Sequence, residues 1–136
     1  RARQGSTRAP QWTHGGIALG PKPRLYKVSL NKKTKRIAMQ SALSSKVAAG
    51  EMIVVDAITA TEYKTKAMAA MLKAIGAEGK SLVVLSSVDA VVIKSLANIP
   101  GVKTAQVNTI NVYDILNCKN LVVVSAAAQK IEEVYA

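Results

Sequence analysis

The chain has little of what most chemistry needs. A single cysteine, Cys118, and a single histidine, His14, stand among 136 residues. One cysteine cannot close an internal disulfide and has no partner cysteine for a zinc knuckle, and with one histidine neither a metal cluster nor a Cys/His nucleophile pair is easily built. A reducing compartment is therefore expected, with no metal and no cofactor. Phenylalanine is absent and aromatics reach only 4%. Apolar runs are short, as in Leu82-Val83-Val84-Leu85 and Leu121-Val122-Val123-Val124, far below the roughly 18 residues that suggest a membrane span. The scarcest feature is local: residues 1–36 contain no acid at all.

That gap dominates the charge pattern. The same 36 residues hold ten bases, Arg1, Arg3, Arg8, Lys22, Arg24, Lys27, Lys32, Lys33, Lys35 and Arg36, whereas residues 37–136 set nine bases against all eight acids. Of the net +11, the first 36 residues thus carry +10. A globular protein needs only a modest excess for solubility, so a localised excess points to a polyanionic partner that meets this segment.

Gly5, Pro10, Gly15, Gly16, Gly20, Pro21 and Pro23 interrupt the backbone up to about Ser29, where neither helical nor strand periodicity exists. Residues 1–30 are expected to be an extended basic loop that needs a partner to become ordered, and 31–136 an α/β globular domain. Asn31 is placed to cap a helix that runs to about Ala49 and stops at Gly50, with Met39, Leu43 and Val47 along the face that packs on a sheet. Four continuous apolar runs follow, Met52–Asp56, Ser81–Ser86, Val102–Val107 and Asn120–Ser125, reading as strands buried on both faces. Met68, Met71, Leu72 and Ile75 have helical spacing between the first two, Asp89 and Asn111 are suitable caps for the next two helices, and the fourth run leads into a last helix. The expected fold is a three-layer, Rossmann-like α/β domain with a four-stranded, mainly parallel sheet flanked by helices, plus the extended basic N-terminal loop.

The loop combines cations with planar and hydrogen-bonding groups. Arginine forks match phosphates, and flat rings stack on unpaired bases. Arg1, Arg3, Gln4, Ser6, Arg8, Trp12, His14, Lys22, Arg24, Tyr26 and Lys27 are therefore candidate RNA contacts. Lys32, Lys33, Lys35 and Arg36 crowd the start of the first helix, where the macrodipole disfavours cations by a few tenths of a kcal/mol each. A bound phosphate would offset this, which adds these four to the candidates. The plain alternative for all of them is a solvated basic tail.

No catalytic residue is assigned. Gly15-Gly16-Ile17-Ala18-Leu19-Gly20 superficially resembles a phosphate loop, but Pro21 separates Gly20 from Lys22, no Ser or Thr follows the lysine and no strand precedes it. Asp56 and Asp114 fit turn and capping roles better than acid/base ones, and Cys118 fits a structural one. A small nucleotide-binding α/β enzyme would need a glycine-rich turn after its first strand, where Asp56-Ala57-Ile58-Thr59-Ala60 stands instead.

The string Arg1-Ala2-Arg3-Gln4-Gly5-Ser6, then Gly15-Gly16 through Gly20-Pro21-Lys22-Pro23-Arg24, and Asn31-Lys32-Lys33 resemble the large-subunit ribosomal protein L-four family, bacterial or organellar type. Ser41-Ala42-Leu43-Ser44, Val54-Val55-Asp56, Lys64-Thr65-Lys66, Pro100-Gly101-Val102 and Asn111-Val112-Tyr113-Asp114 continue the likeness in order. The resemblance implies a non-enzymatic constituent of the large subunit that binds ribosomal RNA, aids assembly and sends a loop toward the peptide exit tunnel. Residues 1 to about 24 would be that loop's returning half, with Arg1, Arg3 and Arg8 nearest the tunnel. The family's amino-terminal strand and outgoing half-loop are expected to be lacking. The implied partners are large-subunit ribosomal RNA and neighbouring ribosomal proteins, with leader messenger RNA a further partner in some members, and no membrane or small-molecule substrate. The implied location is the ribosome of the cytoplasm or of an organelle. A free RNA-binding regulator of its own operon is the alternative that sequence does not separate from this reading.

Overall fold

A computed structural model describes residues 2–135, with five helices and four strands in the order α1 Lys32–Ala48, β1 Met52–Val55, α2 Thr65–Ala74, β2 Ser81–Leu85, α3 Ala90–Ala97, β3 Val102–Gln106, α4 Val112–Asn117, β4 Asn120–Val124 and α5 Ser125–Tyr135. Each strand is one residue shorter than the apolar run that announced it. The sheet is entirely parallel, in the order β1-β4-β2-β3. The connections β1 to β2 and β2 to β3 advance in one direction across the sheet, while β3 to β4 returns. Right-handed crossovers then require α2 and α3 on one face and α4 on the other. Accordingly α2 packs on α3, and α1 packs on α4 and α5.

β2 and β4 are buried throughout, as their continuous apolar sequences require. β1 and β3 are only partly buried, which corrects the expectation of four doubly covered strands. They are the edges of the sheet; the apolar run of β1 cannot reveal this, whereas Lys103, Thr104 and Gln106 already set β3 apart from a doubly covered strand. Leu82, Val83, Val84, Leu121, Val122 and Val123 form the centre of the core, closed by Val92 and Leu96 of α3 and Ile115 of α4.

Helix ends follow the expected chemistry with one exception. Asp89 accepts from the backbone N–H groups of Val91 and Val92 at 2.9 and 3.3 Å. Asn111 and Asp114 form a reciprocal box: the Asp114 N–H donates to Asn111 Oδ1 at 2.7 Å, and Asn111 Nδ2 donates to Asp114 Oδ2 at 2.9 Å. Asn31 occupies the cap position of α1, yet its side chain makes no capping bond. At the far end of α1, Gly50 has φ +68°. The Gly50 N–H donates to the Val47 carbonyl and the Glu51 N–H to the Lys46 carbonyl, both at 3.0 Å. This is a Schellman ending, for which glycine is the residue with no steric penalty.

The buried stripe of α1 is Met39, Ala42 and Lys46. Leu43 is half-buried, but Val47 is 61% exposed and does not face the sheet, contrary to the expected Met39–Leu43–Val47 face. At about 100° per residue, Val47 sits roughly 80° around the helix from Met39, off the contact line. The actual line runs through Lys46, whose Nζ donates to Glu51 Oε2 and to the carbonyls of Cys118 and Lys119.

Candidate nucleic-acid interface

Turns rather than regular elements organise the arm. The Trp12 N–H donates to the Ala9 carbonyl at 3.0 Å, Gly15 to Trp12 at 2.9 Å, and Gly16 to Arg8 at 2.9 Å. Residues 8–16 thus close into a small knot, where the sequence suggested only extended chain. Gly15 is required there, because any Cβ would collide with the Ala9 carbonyl. Ser6 Oγ accepts from the Arg8 N–H at 3.1 Å, and Gln11 Nε2 donates to Gln4 Oε1 at 2.8 Å. Arg3 and His14 both hold positive φ, 60° and 61°.

This local folding sorts most of the candidate residues into three groups, with Arg3, Arg8 and His14 exposed outside them. Gln4, Ser6 and Trp12 line an open cleft of 520 Å³ together with Gly5, Thr7 and Thr13. The cleft is wide enough for a flat ring, and its rim offers amide and hydroxyl groups. Arg24 and Tyr26 form the second group, on one side of the extended stretch that leads to α1. Residues two apart share a face of an extended chain, and the Arg24 guanidinium lies 4.1 Å from the centre of the Tyr26 ring. Lys22 and Lys27 flank this pair and are exposed.

The third group stands on α1. Residues 32–38 are all exposed, and burial begins only at Met39, so the first two turns overhang the body. Lys32, Lys33, Lys35 and Arg36 fall within about 160° of the helix circumference, leaving Thr34, Ile37 and Ala38 on the opposite side. The overhang is therefore cationic on one side and weakly apolar on the other. Arg1 lies outside the described residues. Every other cation of the arm and overhang is exposed, and among the described residues none pairs with a carboxylate. Nor, among the described residues, does any hydrogen bond or ion pair tie residues 2–30 to the α/β body. The three groups are consecutive along the chain but are not gathered into one pocket.

The charged contacts of the body are self-contained. Lys103 pairs with Asp114 at 2.6 Å. The hydrogen bond and charge of Asp114 push the Lys103 ammonium above its ordinary range, and the hydrogen bond from Lys103 holds the Asp114 carboxyl below its own, with Asn111 assisting. Burial raises the Cys118 thiol, which favours the neutral form over a nucleophilic thiolate. Cys118, Lys103 and Asp114 all line one cavity of 240 Å³, but the acid and the base there are already spent on each other. Among the described residues, no group of three His, Cys, Asp or Glu side chains is placed to hold a metal ion. Nor is any described helix long and apolar enough to cross a membrane.

Sequence reasoning missed Lys46, the one charged side chain buried among the described residues. A lysine four residues before a helix-ending glycine, with a glutamate just after that glycine, was the available signal.

Fold and charge together define a parallel three-layer α/β domain that carries an exposed cationic appendage. The model of the ribosomal protein L4/L1 family matches residues 1–134. Large ribosomal subunit protein uL4 of Ruminiclostridium cellulolyticum is 51% identical over 136 residues, covering all of this chain and 66% of its own length. The uL4 proteins of Agathobacter rectalis and Alkaliphilus oremlandii are 53% and 50% identical over 99% and 100% of the chain, and 65% and 66% of their own lengths. The chain belongs to the ribosomal protein L4/L1 family, a family of ribosomal proteins rather than of enzymes. It spans slightly less than two thirds of the length of these relatives.

Proposed function

We propose that this chain is a structural constituent of the large ribosomal subunit that binds ribosomal RNA through its arm and the overhang of α1, aids subunit assembly and directs its loop toward the peptide exit tunnel. The observation that carries this reading is the continuous run of exposed, unpaired cations from Arg3 to Arg36, uninterrupted by any acid. Arg1, Arg3, Arg8, Lys22, Arg24, Lys27, Lys32, Lys33, Lys35 and Arg36 neutralise phosphates. Trp12, His14 and Tyr26 fill spaces among unpaired bases, and Gln4 and Ser6 hydrogen-bond beside them. Large-subunit ribosomal RNA and neighbouring ribosomal proteins are the partners, and the assembled ribosome is the location. No turnover is involved.

The test is a salt titration of binding to a large-subunit ribosomal RNA fragment. If about six of these cations meet phosphate, log K against log salt has a slope near −4 to −5, between single-strand and duplex behaviour. Replacing Arg1, Arg3 and Arg8 together with Ala flattens that slope. A triple variant that binds like the parent across the whole titration overturns the assignment of the arm to RNA.

A further inference from the structure

Lys46 is 7% exposed, although a lysine is buried at great cost unless its ammonium is fully engaged. Here it is engaged three times. Its Nζ donates to Glu51 Oε2 at 2.6 Å, to the Cys118 carbonyl at 2.6 Å and, more weakly, to the Lys119 carbonyl at 3.4 Å. The arrangement follows from the Schellman ending of α1, which brings together the residue four before the glycine and the residue just after it. That pair is usually apolar. In this chain it is Lys46 and Glu51, so the ammonium is left pointing at the next helix. Cys118 is the last cap of α4, a helix with no basic residue in its final turn. Lys46 therefore supplies from α1 the cation that the carboxyl end of α4 lacks.

One side chain thus joins four junctions: the end of α1, the start of β1, the end of α4 and the start of β4. Few other contacts fix α1. Of its 17 residues only Met39, Ala42 and Lys46 are buried, with Leu43 half-buried against the core, and among the described residues the other side-chain hydrogen bond from α1 to another element is that of Gln40, whose Nε2 donates to the Tyr135 carbonyl. The cationic overhang lies at the opposite end of the same rod. Lys32 is 14 residues from Lys46, about 21 Å along the axis. With Lys46 released, α1 would pivot about its remaining buried contacts, of which Met39 lies about 10 Å along the axis from Lys32; a tilt of roughly 20° would then move Lys32 by about 3.5 Å, more than the length of a charge-assisted hydrogen bond.

We propose that Lys46 is a positioning residue for RNA binding: it locks the trailing end of α1 onto the α4–β4 junction and so aims Lys32, Lys33, Lys35 and Arg36, without touching RNA itself. This rests on the reading of the overhang as an RNA contact, and the test separates the two. Binding of the complete 136-residue chain to a large-subunit ribosomal RNA fragment is measured for Lys46→Met, for a quadruple variant with Lys32, Lys33, Lys35 and Arg36 changed to Ala, and for the combination. Far-UV circular dichroism confirms that each is folded. Lys46→Arg, which keeps the charge but replaces the ammonium with a larger planar group, enters the same cycle if Lys46→Met does not fold.

Coupled sites give non-additive effects, so Lys46→Met should weaken binding by about ten-fold in the parent and by less than about two-fold in the quadruple background. Its salt slope should also fall toward that of the quadruple variant, although the charge removed is a buried one. Wild-type affinity for a folded Lys46 variant, or a loss that adds in full to the quadruple variant's, overturns the positioning role alone. Wild-type affinity and slope for the quadruple variant overturn the overhang as an RNA contact, and the role of Lys46 with it.

Discussion

Replacing Gly50 with Ala isolates one conformational term on which the Lys46 arrangement depends. Gly50 sits at φ +68°, and a Cβ built there meets nothing within 4 Å. Steric overlap with neighbours therefore contributes nothing, and the cost is that of holding an L-residue in the left-handed region, about 1–2 kcal/mol. The net loss should lie near 1 kcal/mol, because alanine also reduces the freedom of the unfolded chain. For a body of this size that lowers Tm by about 4–8 °C. Gly50→Asn should lose less, since asparagine enters this region more readily. Thermal unfolding followed by circular dichroism, with urea midpoints as a second measure, reads both variants. A Gly50→Ala variant that melts within a degree of the parent would refute the Schellman ending. A loss above about 3 kcal/mol would exceed the conformational term and would mean that the Lys46–Glu51 contact had been broken as well.

Two further predictions test the core and its electrostatics. Leu96→Ala should cost about 2–5 kcal/mol, since the side chain is wholly buried, whereas Val47→Ala should stay within about 0.5 kcal/mol; comparable losses in urea unfolding would return Val47 to the core. Asp114 is held below the ordinary carboxylate range by Lys103 and Asn111, so its contribution to stability is complete above about pH 4 and is lost as pH falls through the lowered value. The Tm difference between the parent and Asp114→Asn should accordingly shrink below pH 4, and a difference that is constant from pH 7 to pH 2 would sink that account.

Much of the fold was legible because it is locally encoded. The strands β2 and β4 announce themselves as unbroken apolar runs, and Asp89, Asn111 and Gly50 act through bonds that span only a few residues. The face of α1 was not legible. Met39, Leu43 and Val47 satisfy helical spacing as a set, but a set at that spacing describes a stripe without saying which neighbour it meets. The contact line instead runs through Lys46, which counts as polar in any pattern and is buried with Glu51 and with carbonyls 72 and 73 residues away accepting its hydrogen bonds. The knot at residues 8–16 escaped for a similar reason: glycine and proline mark a break in periodicity, not the closure of a turn.

Taken alone, the sequence determined the segregation of charge, the scarcity of cysteine and histidine, the number and order of the elements, and the helix caps at Asp89 and Asn111. These are properties of residues or of near neighbours along the chain. Only the tertiary structure decided that β1 and β3 are edges, that α1 projects two turns beyond the core, and that a buried ammonium holds its other end. Strand order, overhang and burial each depend on contacts between segments far apart in sequence, where many pairings have the same local cost and packing selects among them.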